Sequence, residues 1–136
     1  MKHWWLLAAM VVGCATNDKP DIDPTGTVST TLTWGGGNCA KTGTEPFKIF
    51  IARSASSYEM TTDAVGQTIH GNVFCGPEYC EIQFFKSWEN NNNDLLHLDG
   101  TLTLDGDTNE ITGTGKYDVL GDCEQVVSFK GALQKL

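Results

Sequence analysis

His70 and His97 are the side chains outside the N-terminal stretch best suited to proton transfer near neutral pH. His97 stands two residues from Asp99 with Ser and Thr nearby, so a base oriented by a carboxylate beside a hydroxyl is one chemistry to weigh. Hydrolysis of that kind needs more, and the chain has neither a Gly-x-Ser-x-Gly elbow nor a second motif. Both histidines fall on the polar side of expected strands, where an exposed imidazole is the ordinary outcome, and no catalytic residue is assigned. Tyr79, Phe85 and Trp88 offer a different chemistry, because they sit near a loop and partly off the inward register of Ile82 and Phe84. Exposed aromatic rings stack on sugars or anchor interfaces, so these three form the candidate ligand surface. Trp34 and Phe84 are expected in the core.

The turn Asp105-Gly106-Asp107-Thr108-Asn109-Glu110 sets oxygen atoms at alternate positions, as the start of a calcium loop does. An EF-hand then requires Gly at position six and Glu at position twelve, and those places hold Glu110 and Lys116. A solvated hairpin turn is the better reading, and Glu89–Asp94 is likewise a polar loop. Cys39, Cys75, Cys80 and Cys123 lack the two-residue spacing of a zinc knuckle or of a redox Cys-x-x-Cys. No metal ligand and no cofactor is assigned. Four thiols would read instead as two disulfides if the chain is exported, with three possible connectivities. The tight loop between Cys75 and Cys80 favours a bridge across a hairpin mouth, leaving Cys39 to join Cys123.

The elements that carry these residues show period-two alternation. Val28, Thr30, Leu32 and Trp34 share one side of a strand, as do Leu96, Leu98, Leu102 and Leu104 of a later one. Asp105–Asn109 turns that strand into a partner whose inward residues are Ile111, Gly113, Gly115, Tyr117 and Val119. The paired glycines predict a bulge, a bend or close packing against a large neighbour such as Trp34 or Trp88. Residues 47–53, 67–75, 79–88 and 125–134 complete a set of seven to eight strands, whereas 54–64 lacks alternation and has room for one helical turn. The expected fold is all-β, a single antiparallel β-sandwich or small β-barrel stapled by disulfides.

Charge narrows the partners. Nine Lys and Arg stand against seventeen Asp and Glu in 136 residues, which argues against nucleic acid and against electrostatic docking on anionic lipid. A cationic protein is compatible.

The N-terminus carries its own signal. Met1-Lys2-His3 is a short basic head, and the ten residues Trp4–Gly13 are apolar, about 15 Å of helix, half a hydrocarbon core. These are the ingredients of an export signal. Val11-Val12-Gly13-Cys14 resembles the lipobox of bacterial lipoproteins, with Val11 in place of the commoner Leu. The resemblance covers residues 1–14 and implies that Cys14 is acylated and becomes the mature N-terminus. Ala15 rather than Asp at the next position implies an outer-membrane destination, with the domain on the periplasmic or surface face. Several acyl chains on one residue hold without a basic patch.

Residues 1–13 are therefore expected to be a signal peptide, 14–26 the lipidated Cys and a flexible tether spanning about 18 Å, and 27–136 the all-β domain. The functional expectation is a lipid-anchored envelope protein with a binding or structural role and no catalysis. One alternative is a glycan-binding module. Another is an envelope inhibitor of a cationic hydrolase such as lysozyme, because Thr112-Gly113-Thr114-Gly115-Lys116-Tyr117 is loosely similar to the Ser-Gly-rich loop of such inhibitors.

Overall fold

The computed structural model describes residues 19–135. Eight strands follow one another: β1 Gly26–Gly37, β2 Thr44–Ser54, β3 Ser57–Ala64, β4 Gln67–Cys75, β5 Tyr79–Glu89, β6 Leu95–Asp105, β7 Glu110–Val119 and β8 Cys123–Lys135. Each pairs antiparallel with its successor and β1 pairs with β8, so the sheet closes on itself as an up-and-down barrel. Closure decides between barrel and sandwich, and it removes the unpaired strand edges that invite aggregation.

Two expectations change. The stretch read as a helical turn contains β3, whose inward residues are Tyr58, Met60, Thr62 and Ala64. A polar Thr and a small Ala on the inner face masked the alternation, and the Thr62 hydroxyl is satisfied inside by donating to the Lys48 carbonyl. The stretch read as a tether is also packed, not free, over residues 19–25. Pro24 is buried, Ile22 packs against the core, and the Ile22 N–H donates to the Gly76 carbonyl at 3.0 Å. Residues 19–25 thus line one end of the barrel, while residues 1–13, read as a signal peptide, and Cys14 lie outside the described residues.

The inner face obeys the alternation. Val28, Leu32, Phe47, Ile49, Met60, Ile69, Ile82, Leu98, Leu102, Leu104, Ile111 and Val127 are fully buried. Phe47, Phe84 and Phe129 meet at the centre with ring centroids 5.0 to 5.7 Å apart. An eight-stranded barrel has little more room than its own side chains need. Three phenyl rings fit because glycines face them: Phe84 lies in register between Gly71 and Gly100, and Phe129 opposite Gly113. A Cβ on Gly100 would strike the Phe84 and Phe129 rings.

Gly113 and Gly115 pack closely, as expected, but against backbone rather than an indole. A side chain at Gly113 would strike the Thr101 carbonyl and Leu102, and one at Gly115 the Asp99 carbonyl and Gly100. Such proximity belongs to two strongly coiled strands, the curvature that small barrels require. One extra residue in β1, between Trp34 and Gly37, makes a bulge against β8 within the run Gly35-Gly36-Gly37.

Both favoured disulfides are present. Cys39–Cys123 joins the loop after β1 to the first residue of β8, and Cys75–Cys80 closes the mouth of the β4–β5 hairpin.

Gly115→Ala is expected to lower unfolding free energy by about 2–3 kcal/mol, since the obstacle is immobile backbone. Gly36→Ala, where nothing lies within 4 Å, should change it by less than about 0.5 kcal/mol. Denaturant titration of the two variants checks this. The sequence separations of 84 and 5 residues further predict that removing the Cys39–Cys123 bridge costs about 2–3 kcal/mol more than removing Cys75–Cys80 on chain-entropy grounds. Paired Cys→Ser variants measured in the same titration test that difference.

Candidate functional site

The filled interior puts any binding surface on the outside, and the outer face of β4–β6 carries one that combines an exposed aromatic ring with polar groups. Phe85 on β5 projects outward and is 64% exposed. Its register partner on β6 is Asp99, and its ring lies 4.4 Å, centroid to centroid, from the imidazole of His97. His97 Nε2 lies 2.8 Å from Asp99 Oδ2, so the carboxylate fixes the ring beneath the phenyl group. A neighbouring shallow depression of about 360 Å³ is lined by His70 and Asn72 of β4, Gln83 and Phe85 of β5, and Asp99 and Thr101 of β6.

Strand geometry alone assembles this group. Alternate residues face outward, so Gln83 stands between Asn72 and Thr101 across the register, with Phe85 two residues along the same strand. Their side chains rise from a continuous ladder rather than from loops, which holds their spacing without ligand. Gln83 donates to Glu81, and Lys116, opposite Asp99 in β7, is drawn away to Glu124 at 2.9 Å. That hydrogen bond, reinforced by the carboxylate charges of Glu124, Asp118 and Asp99, raises the Lys116 ammonium above its ordinary value.

His97 and Asp99 do come together, as a base–carboxylate reading requires, and Ser87 faces His97 directly in register. The nitrogen committed to Asp99 is Nε2, however, and no hydrogen bond joins Ser87 to the ring among those described. The acidic turn is used internally: Asp105 Oδ1 accepts from the N–H groups of Asp107 and Thr108 at 2.8 and 3.3 Å. Asn90 Oδ1 does the same for Asn92 and Asp94. Among the described residues no group of three or more His, Cys, Asp or Glu is placed to hold a metal ion.

Of the three aromatic candidates, Phe85 and Tyr79 face outward, but they are separated along β5 and belong to different surfaces. Trp88 is corrected: it shares the inner register of Ile82 and Phe84 and packs, partly buried, on the core. Counting in twos from Phe84 places it there. Phe74 was missed; it is 60% exposed on β4, on the polar phase with His70 and Asn72. The same counting, carried through 67–75, would have found it.

The opposite end of β1 carries a second feature. Gln125 Nε2 donates to the carbonyls of Gly35 and Lys41, and Lys41 N–H donates back to Gln125 Oε1. The Lys41 ammonium then lies 5.1 and 5.3 Å from the Trp34 and Tyr117 ring centroids. Trp34 Nε1 donates to Glu45 Oε2 at 3.0 Å, and the loop closes that end of the barrel. Comparison with family models, curated proteins and solved structures finds no match to this chain.

Burial raises the Tyr117 phenol above its ordinary range, with the Asp118 charge adding to it. The native state therefore holds the proton more tightly than the unfolded chain, and this stability is full below the unfolded value and falls as pH rises past about 10. Tyr117→Phe keeps the packing and removes the titration. Its unfolding free energy should fall less steeply above pH 10 than that of the parent, which denaturant titrations at stepped pH will show.

Proposed function

We propose that the protein is a lipid-anchored, non-catalytic binding module of the cell envelope, held through Cys14, and that its ligand is a glycan taken on the outer face of β4–β6. The observation that carries the glycan reading is the exposed Phe85 ring beside His97 and Asp99, at the edge of a depression lined by carboxamide and hydroxyl groups. A sugar ring offers an apolar C–H face to an aromatic ring and hydroxyls at its rim to amide, imidazole and carboxylate partners. Gln83, Asn72, Thr101 and Asp99 supply those partners within one register of Phe85.

The anchor rests on the lipobox resemblance of residues 11–14. The inhibitor reading has less support. Thr112–Tyr117 lies in β7, with Gly113 and Gly115 against β6 and Tyr117 buried beneath Trp34, so the residues of the supposed loop are spent on the fold.

In the mature chain, purified in detergent micelles, co-sedimentation with insoluble envelope polysaccharide is expected to be lost on Phe85→Ala by at least tenfold in Kd, about 1.4 kcal/mol. Phe50→Ala, on the far side of the barrel, should leave it unchanged. Binding should vary little between 50 and 500 mM salt. Equal sedimentation of the Phe85→Ala variant would overturn the site, and steep salt dependence would point to a cationic protein partner instead.

A further inference from the structure

The chain enters the barrel beside a particular hairpin. Hairpins β2–β3, β4–β5 and β6–β7 share one end, and residues 19–22 run along the β4–β5 turn there. The Ile22 N–H donates to the Gly76 carbonyl at 3.0 Å, the Lys19 ammonium lies 3.5 Å from a Glu78 carboxylate oxygen, and the Gly106 N–H donates to the Glu78 carbonyl at 3.0 Å. The Ile22 side chain packs against the core and fills the space where a Cβ of Gly106 would go. On this hairpin Phe74 is 60% and Tyr79 56% exposed, two large aromatics on the outer surface of paired strands and together lining the hollow over Pro77. The Cys75–Cys80 bridge joins the residue after Phe74 to the residue after Tyr79 and fixes the turn.

Chain length limits how far this hairpin can be from Cys14. Four residues separate Cys14 from Lys19, and five steps of fully extended chain reach at most about 18 Å. Whatever surface holds Cys14 therefore lies within about 18 Å of Lys19, at the end of the barrel that bears Phe74 and Tyr79.

We propose that Phe74 and Tyr79, flanking the β4–β5 turn, form a second contact with the lipid surface, seating their rings in the headgroup region and setting the tilt of the barrel on the membrane. Aromatic side chains favour that depth, Tyr in particular because its hydroxyl stays hydrated while its ring is not. Glu78, Glu81, Asp105 and Asp107 surround the turn, so the surface suited to it is zwitterionic rather than anionic. The contact rests on the lipid-anchor reading, because two exposed rings without a tether hold a membrane only transiently.

The test uses the lipidated, full-length mature protein in vesicles of phosphatidylcholine and phosphatidylethanolamine with brominated acyl chains. The mature chain has two tryptophans, Trp34 and Trp88, both toward the other end of the barrel. Phe74→Trp adds a reporter at an exposed position that should not disturb folding. The added emission is expected to shift to shorter wavelength and to be quenched at least twofold by brominated lipid, with the parent's emission nearly unchanged. Intact mass and vesicle flotation establish the anchor independently. An anchored F74W protein whose added emission is no more quenched than the parent's would overturn the contact and leave the anchor standing. A chain without lipid on Cys14 that fails to float would overturn both.

Discussion

The molecule depends on the seam between β1 and β8. Every other strand pair is a hairpin of neighbours, closed by a few residues of turn, whereas this pair joins segments about a hundred residues apart and carries the full entropy of that loop. Three devices act on it. The Cys39–Cys123 bridge ties the two strands at one end, Asn38 pairs with Glu124 through its own N–H at 2.9 Å and by accepting the Glu124 N–H at its side-chain oxygen, and Gln125 laces the loop before β2 to β1. The bulge in the Gly35–Gly37 run lets β1 bend far enough to present Cys39 to Cys123.

Closing the seam fixes the volume of the interior, and the interior then dictates the composition of the strands. Phe47, Phe84 and Phe129 fill the middle only because Gly71, Gly100 and Gly113 stand beside them. Those glycines would weaken an open sheet, since each costs backbone entropy and contributes no packing. Here the tight coil brings neighbouring backbone or an aromatic ring to where a Cβ would stand. A lumen packed in this way has no room for a ligand, in contrast to wider or emptier barrels that carry one inside.

How much of this was legible follows from what alternation can encode. β1, β6 and β7 announce themselves because most of their inward places hold large apolar or aromatic residues, Val28, Leu32 and Trp34 in the first, four leucines in the second, Ile111 and Tyr117 in the third, and the turn at Asp105–Asn109 has the side chains that positive φ and internal capping demand. β3 does not, because its inner face includes Thr62 and Ala64, and only the Lys48 carbonyl on the neighbouring strand makes a buried threonine acceptable there. The disulfide pairing was legible from loop length. Barrel versus sandwich was not, since it depends on whether β1 meets β8, a contact that no local pattern records. In the candidate site, the outward direction of Phe85 followed from register, but its tilted contact with His97 required knowing that β5 and β6 pair with Phe85 opposite Asp99. Trp88 was misplaced for want of counting from Phe84.

Under the proposed lipid anchor and glycan site, the placement of the two outer-face features along β5 would link anchoring to binding. Tyr79 and Phe85 are six residues apart on one strand, about 20 Å of extended chain, or roughly 15 Å of height in a barrel whose strands tilt by some 40°. If the end bearing Tyr79 rests on a membrane, Phe85 stands clear of the headgroups on the side wall, open to a polymer lying parallel to the surface. On that reading the charge works in the same direction: with residues 1–13 removed, eight Lys and Arg would stand against seventeen Asp and Glu, and anionic headgroups would repel the barrel wall. Attraction would then be confined to the proposed lipid and to the two aromatics at one end, leaving the remaining surface free for a ligand.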